Sequence, residues 1–296
     1  MSMNVQDVER ALPTSTAPPL AAASGSATSI ARKNDTIGDI VAAEILAGFR
    51  AWRVWTILGW DDIRQRYRRS VLGPFWITLS MGAFILLLGV IYSRLFHMEL
   101  ENYMPYLSVG YIVWGFMSAA INDSCVAFTD TSRIIKQIKL PYSVYVLRVV
   151  WRNFIIFMHT IVIYIPIAII FKVEPTWAML LAIPGLILVC VNLIWMTTVI
   201  AILSTRYRDI QPIIGTTVQL GMFATPIMWP ISSLGNARIV AEVNPAYHLI
   251  EITRAPLLGE FAGLHSWLVA VGLAIGGSVL AAALLVRASR RIVFWL

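Results

Sequence analysis

Apolar positions in this chain come in long unbroken blocks, and the charged positions collect at their ends. Six apolar stretches lie between Ser70 and Val286, at roughly 75–95, 104–122, 146–171, 177–203, 210–229 and 264–286. The first is entered through Arg66-Tyr-Arg-Arg-Ser-Val-Leu-Gly-Pro-Phe-Trp76, which sets a cationic segment against a charge-free run from Ser70 to Ser93. A run of that length crosses about 30 Å of hydrocarbon. Within lipid every backbone polar group must find its partner inside the segment, so each crossing is expected to be a helix. The pattern predicts an all-α polytopic membrane protein with six transmembrane helices.

Two amphipathic segments are not expected to cross. Residues 44–69 interleave Phe49, Trp52, Trp55, Ile57, Leu58, Trp60 and Ile63 with arginines and acids, the composition of a helix lying at a membrane surface. Residues 230–262 are divided by Asn244-Pro245, and Glu251 and Arg254 make a full crossing expensive. A short outer re-entrant helical hairpin between spans five and six is the expected form. The domain reading is a disordered cytoplasmic tail over 1–43, an amphipathic interface helix over 44–69, and a six-span permease domain over 70–296. The tail is rich in Ala, Ser, Thr and Pro, and Asp7 and Glu9 stand where a secretory signal carries basic residues.

Charge fixes the expected orientation. Basic residues precede the first span, fill the second loop (Arg133, Lys136, Lys139), sit at Arg206 and Arg208, and follow the sixth span at Arg287, Arg290 and Arg291. The alternate loops are acidic or mixed. Both termini are therefore expected to be cytoplasmic. The net charge of +7 is explained by these clusters, so nucleic acid is not an expected partner. Hydrophobic residues make up 58% and charged residues 13%, which leaves no room for a separate soluble core. Cys125 and Cys190 have no metal-ligand spacing and are read as structural.

The chain carries no motif for catalysis. It has no Gly-x-x-x-x-Gly-Lys-Ser/Thr phosphate loop, no Cys/His cluster and no Gly-x-Ser-x-Gly elbow. Asp61-Asp62 is read as the solvated face of the amphipathic helix, and no metal site is expected. Ion coupling normally needs a titratable group within the membrane. His159 is the one candidate deep in a span and reads as hydrogen-bonded packing; Asp123 falls at a span end, and Arg148 and Arg152 sit one turn apart where they can snorkel to the interface. An energy source in a separate partner protein is then the simplest reading. The loop from Thr131 to Tyr142 fits docking onto such a partner: Arg133, Lys136 and Lys139 alternate with Ile134, Ile135 and Ile138, and Pro141 ends any helix.

Several pieces, in order, resemble the membrane permeases of polysaccharide-export ABC transporters of the O-antigen and capsule type. They are Arg66 to Trp76 as quoted, Ile138-Lys-Leu-Pro141, Arg206-Tyr-Arg-Asp-Ile210, Thr225-Pro226 with Trp229-Pro230, and Asn244-Pro-Ala-Tyr-His248 followed by Arg254. The similarity covers about residues 45–296; the tail over 1–44 is longer than the family pattern. The resemblance implies a homodimer in the bacterial inner membrane, bound to two copies of a separate nucleotide-binding ATPase, with a continuous channel for a lipid-linked glycan. ATP and Mg would be held by the ATPase, and this chain would bind no cofactor and have no ATPase site.

A hydroxylated polymer needs a hydrated path, and aromatic rings can pack on sugar faces. Trp76, Phe84, Trp114 and Phe223 are the channel candidates. Arg66, Arg68 and Arg69 are candidates for the phosphate of a lipid carrier. Two other readings remain open: an ABC permease for a drug or lipid, and an integral membrane glycosyl- or acyltransferase.

Overall fold

The structure, a computed structural model, describes residues 37–68, 75–231 and 239–296. Two short helices open it, α1 (Ile37–Arg50) and α2 (Trp52–Tyr67). They occupy the region where one amphipathic helix is expected over 44–69, and α1 begins inside the segment expected as tail. The division falls at Ala51, whose backbone leaves the helical region at φ −80°, ψ 27°.

Long helices follow: α3 (Phe75–Leu95) and α4 (Leu100–Ser124), then the short α5 (Ser132–Gln137) in the 131–141 loop. Next, α6 (Tyr142–Thr160) continues through a single 3-10 turn into α7 (Tyr164–Ile170). A 3-10 turn at Trp177–Leu181 leads into α8 (Ala182–Arg206), and α9 (Ile210–Ala224) comes after it. The chain ends with α10 (Ile239–Glu242), α11 (Pro245–Leu257), α12 (Leu264–Ser289) and α13 (Ile292–Trp295). No strand occurs among the described residues.

Five helical segments are long and apolar enough to cross a bilayer: Phe75–Leu95, Leu100–Ser124, Tyr142–Ile170, Trp177–Arg206 and Leu264–Ser289. The stretch expected as the fifth of six spans, 210–229, takes another form. Its helix α9 has 15 residues, about 22 Å at 1.5 Å per residue, which is short of the hydrocarbon thickness. Proline at 226 stops it, because a pre-proline residue is pushed out of the helical region. Thr225 accordingly lies extended at φ −97°, ψ 139°.

Packing is centred on α4. Two-thirds of its apolar window (67%) is buried, against 11% for α3, so α4 is the pillar and α3 a peripheral helix. Ile112, Val113, Phe116 and Met117 of α4 meet Phe157, Val189, Leu193 and Ile250 in the main core. A second cluster closes one end of the bundle, joining Phe128, Ile135, Tyr145, Val149, Ala201, Leu285 and Ile292. Close approach of α8 to its neighbours depends on two glycines. A Cβ on Gly277 would lie 2.2 Å from the Trp195 ring, and one on Gly185 would lie 2.3 Å from the Ile252 carbonyl.

Candidate functional site

Three features lie along α4: a charged cluster at its C-terminal end, an open groove beside its middle, and a polar lock at its N-terminal end. The charged cluster begins with Asp62 of α2. Arg148 donates to it from Nε at 2.7 Å and from a second nitrogen, and Arg152 donates from Nη1 at 2.9 Å. Arg152 also donates to Asp123, in the last turn of α4, at 2.7 Å, and Asn153 Nδ2 donates to the same oxygen at 2.9 Å. Arg66 adds a looser ion pair to Asp123 at 3.9 Å. Arg148 and Arg152 share a face of α6 because they stand four residues apart. They were expected to reach a membrane surface, and Asp62 to be solvated; instead the three side chains are mostly buried against one another.

The lock at the opposite end is built on Arg254, which is 1% exposed. Its Nε and Nη2 donate to Glu251 at 3.0 and 2.6 Å, and its Nη1 donates to the Pro226 carbonyl at 2.7 Å. The guanidinium lies 4.0 Å from the centre of the Tyr106 ring. Tyr106 donates to the same Pro226 carbonyl at 3.0 Å, and Tyr103 donates to Met228 O. Asn244 accepts from Ala246 N at 3.0 Å and so caps α11, while its amide donates to Thr225 Oγ1 at 2.9 Å. The carbonyls freed where Pro226 breaks α9 are thus held by α4 and α11. Glu251 and Arg254, three residues apart on α11, therefore form an ion pair within the helix.

Between these ends, α3, α4 and α9 enclose an open groove of about 270 Å³ lined by Met81, Tyr111, Trp114, Gly115, Ser118, Asn122, Gly215, Val218, Gln219 and Met222. The helix α9 buries none of its residues. It carries Gln211, Thr216, Thr217 and Gln219 nonetheless. The two threonines return their hydroxyls to Pro212 O and Ile213 O. Both glutamines lack a side-chain partner among the described residues.

The channel candidates fall unevenly around this groove. Trp114 lines it, mostly buried, with its ring against Gly221 of α9. Phe84 is not among the lining residues, and its ring lies 5.1 Å from that of Tyr111, which is. Trp76 and Phe223 are exposed and are not among its lining residues. Of the carrier-phosphate candidates, Arg66 joins the charged cluster, Arg68 is exposed just beyond α2, and Arg69 lies outside the described residues. Among the docking candidates, Arg133, Lys136, Ile138 and Lys139 are exposed and Ile134 is half-buried, but Ile135 is in the second core cluster. His159 is exposed and bonds within its own helix to Ile155 O. No group of three or more metal-ligating side chains occurs among the described residues.

Sequence reasoning missed Tyr103, Tyr106, Ser118, Asn122 and Gln219. The polar residues inside apolar runs were the available signal, since unpaired amides are costly in lipid.

Membrane-length helices thus surround an open groove lined by both apolar and polar side chains. A family model described as ABC-2 type transporter matches residues 53–258. The chain belongs to the ABC-2 type transporter family, in which the ATPase is a separate subunit. It is similar to the O-antigen export system permease protein RfbA of Myxococcus xanthus, 24% identical over 193 residues, 64% of this chain and 74% of that protein. It is also similar to the protein of the same name from Klebsiella pneumoniae, 25% identical over 172 residues, 57% of this chain and 65% of the relative's length.

Proposed function

We propose that this chain is the membrane permease of an ATP-driven exporter that moves a lipid-linked polysaccharide, of the O-antigen or capsule kind, across the bacterial inner membrane. One observation carries the reading: the open groove beside Trp114 is lined by Ser118 and Asn122 of α4 and by Gln219 of α9, a helix that buries none of its residues. The Gln219 amide has no side-chain partner among the described residues, and facing hydrocarbon it is costly; facing water and sugar hydroxyls it is satisfied. Neutral amides and hydroxyls around an indole suit a hydroxylated chain better than an apolar drug. The names of the relatives agree with a glycan cargo.

In this reading two copies of the chain face each other across the α3–α9 side, so that each groove forms half of a conduit. Two copies of the ATPase bind ATP and Mg and dock on the exposed Arg133, Lys136, Ile138 and Lys139. Helix α9 makes the further crossing together with the turns over 225–230, while α10 and α11 form the outer hairpin. Both termini are cytoplasmic, and α2 lies at the inner interface. Arg66, Arg68 and Arg69 receive the carrier phosphate there.

The test is to fill the groove. A Cβ on Gly215 meets nothing closer than Asn122 Oδ1 at 3.9 Å, so Gly215→Leu fits the fold and occupies the path. Expected is normal assembly with the ATPase, with polymer retained inside cells; full export by this variant refutes the groove as the path.

A further inference from the structure

Helix α2 is fastened to the bundle in two ways. One is apolar: Ile63 is buried, Gly59 lies against Trp151 and the α6 backbone, and the Trp55 and Trp151 rings meet edge to face at 5.7 Å. The other is a chain of charge, running from Asp62 through Arg152 to Asp123 by hydrogen bonds of 2.9 and 2.7 Å. The two kinds of contact respond differently to load. Apolar contact is non-directional, so two helices can slide across it. A carboxylate held by two guanidinium groups fixes both distance and angle.

The charged chain ends where the groove begins. Asp123 follows Asn122, a groove residue, and Ser118 lies one turn further along α4; Asn122 donates to Ser118 O at 2.8 Å. Helix α6, which supplies Arg148, Arg152 and Asn153, starts at Tyr142, directly after the 131–141 loop. Movement of α2 and movement of the loop therefore meet at the same three side chains. The cluster also holds unused hydrogen-bonding capacity. Arg152 Nε and Asn153 Oδ1 are buried without a partner, which in a settled polar core is uncommon. A second arrangement of the cluster has donors and acceptors waiting for it.

We propose that Asp62 is a positioning residue that transmits movement of α2, through Arg152 and Asp123, to the groove end of α4, a role that rests on the groove being the transport path. Asp62 touches no cargo. It makes the rigid join by which a push delivered at the surface helix becomes a change beside Ser118 and Asn122.

The experiment uses the full chain with its ATPase partner in proteoliposomes, with Cys125 and Cys190 replaced by serine and Ser118→Cys as the reporter. The readout is the rate of thiol labelling at position 118 with and without ATP, alongside ATP hydrolysis. In the parent the rate should change by about fivefold or more on adding ATP, the scale of an ordinary coupling between sites. With Asp62→Asn added, hydrolysis should persist while that response disappears. Asp62→Glu should retain it. Arg152→Gln, which removes the charged link to both Asp62 and Asp123, should lose it as well.

A purely packing role for Asp62 would lower folded yield without separating hydrolysis from the labelling response. An unchanged ATP response in D62N overturns the proposal. If D62N does not assemble, Arg152→Gln decides: loss of the response in a complex that still hydrolyses ATP supports the role, and an unchanged response overturns it. None of these readouts involves the glycan. An intact ATP response with no polymer exported would refute the glycan as cargo and leave the role of Asp62 standing.

Discussion

Replacing Arg254 should be the most damaging single change at the α11 end of the molecule. Truncation to alanine removes both bonds to Glu251, the bond to Pro226 O and the guanidinium over Tyr106. The carboxylate of Glu251 is then left without its partner, at 21% exposure. Breaking one side of a buried ion pair costs about 3–5 kcal/mol. The partial exposure of Glu251 places this case near the lower end, and loss of the cation–π contact adds about 1 kcal/mol. The Pro226 carbonyl keeps its bond from Tyr106 at 3.0 Å, so it is not orphaned and adds little. Arg254→Ala should therefore destabilise the chain by about 3–5 kcal/mol, measured by denaturant unfolding of purified protein in detergent.

The double variant Arg254→Met with Glu251→Gln removes both charges and fills much of the volume. It should be more stable than Arg254→Met alone, since the stranded carboxylate supplies much of the loss. Additive losses in that cycle, or a stability for Arg254→Ala within about 1 kcal/mol of the parent, well below the cost of stranding a buried charge, would refute the assignment of Arg254 as the lock.

Three further outcomes are expected. Single cysteines at Ala246 and Glu260, in a background lacking Cys125 and Cys190, should react with an impermeant thiol reagent added from outside; labelling of Ala246→Cys only from the cytoplasm would place the hairpin across the membrane. In the 131–141 loop, Ile138→Asp should reduce co-purification of the ATPase while leaving the folded chain abundant, whereas Ile135→Asp should lower the amount of folded chain itself, because Ile135 belongs to the core; equal effects from the two would refute the division. Burial raises the pKa of Glu44, partly offset by its hydrogen bonds from the backbone at Tyr142 and Ser143, so its contribution to holding α1 on α6 is complete below the ordinary carboxylate range and declines as pH rises through the raised value; protease protection of α1 should fall with rising pH, and Glu44→Gln should abolish that dependence.

The linear chain was enough to establish helical class, membrane setting and most of the spans. These follow from apolar run length and from the impossibility of leaving backbone groups unpaired in lipid, both properties of a local window. It also showed the break at Asn244-Pro245, because helix capping is local. The stretch over 210–229, expected as the fifth of six spans, was less legible. Hydropathy continues to residue 229, but Pro226 ends the helix at Ala224, and only the fold shows Tyr106 and Arg254 collecting the carbonyls that this break releases.

Burial within the interface segments was likewise out of reach. Ile134 and Ile135 look alike in sequence, yet Ile135 is buried within the cluster that holds Phe128, Ala201 and Ile292, while Ile134 is half-buried and packs against its edge. Asp62 looked like a solvated acid and proved to be the junction of α2 with α6, because its partners lie 86 and 90 residues away. The groove depends on the same physics: Ser118 and Asn122 on one helix and Gly215 and Gln219 on another become one surface only when α4 and α9 pack together. Local periodicity decides what a segment can be, and long-range packing decides which of its side chains meet.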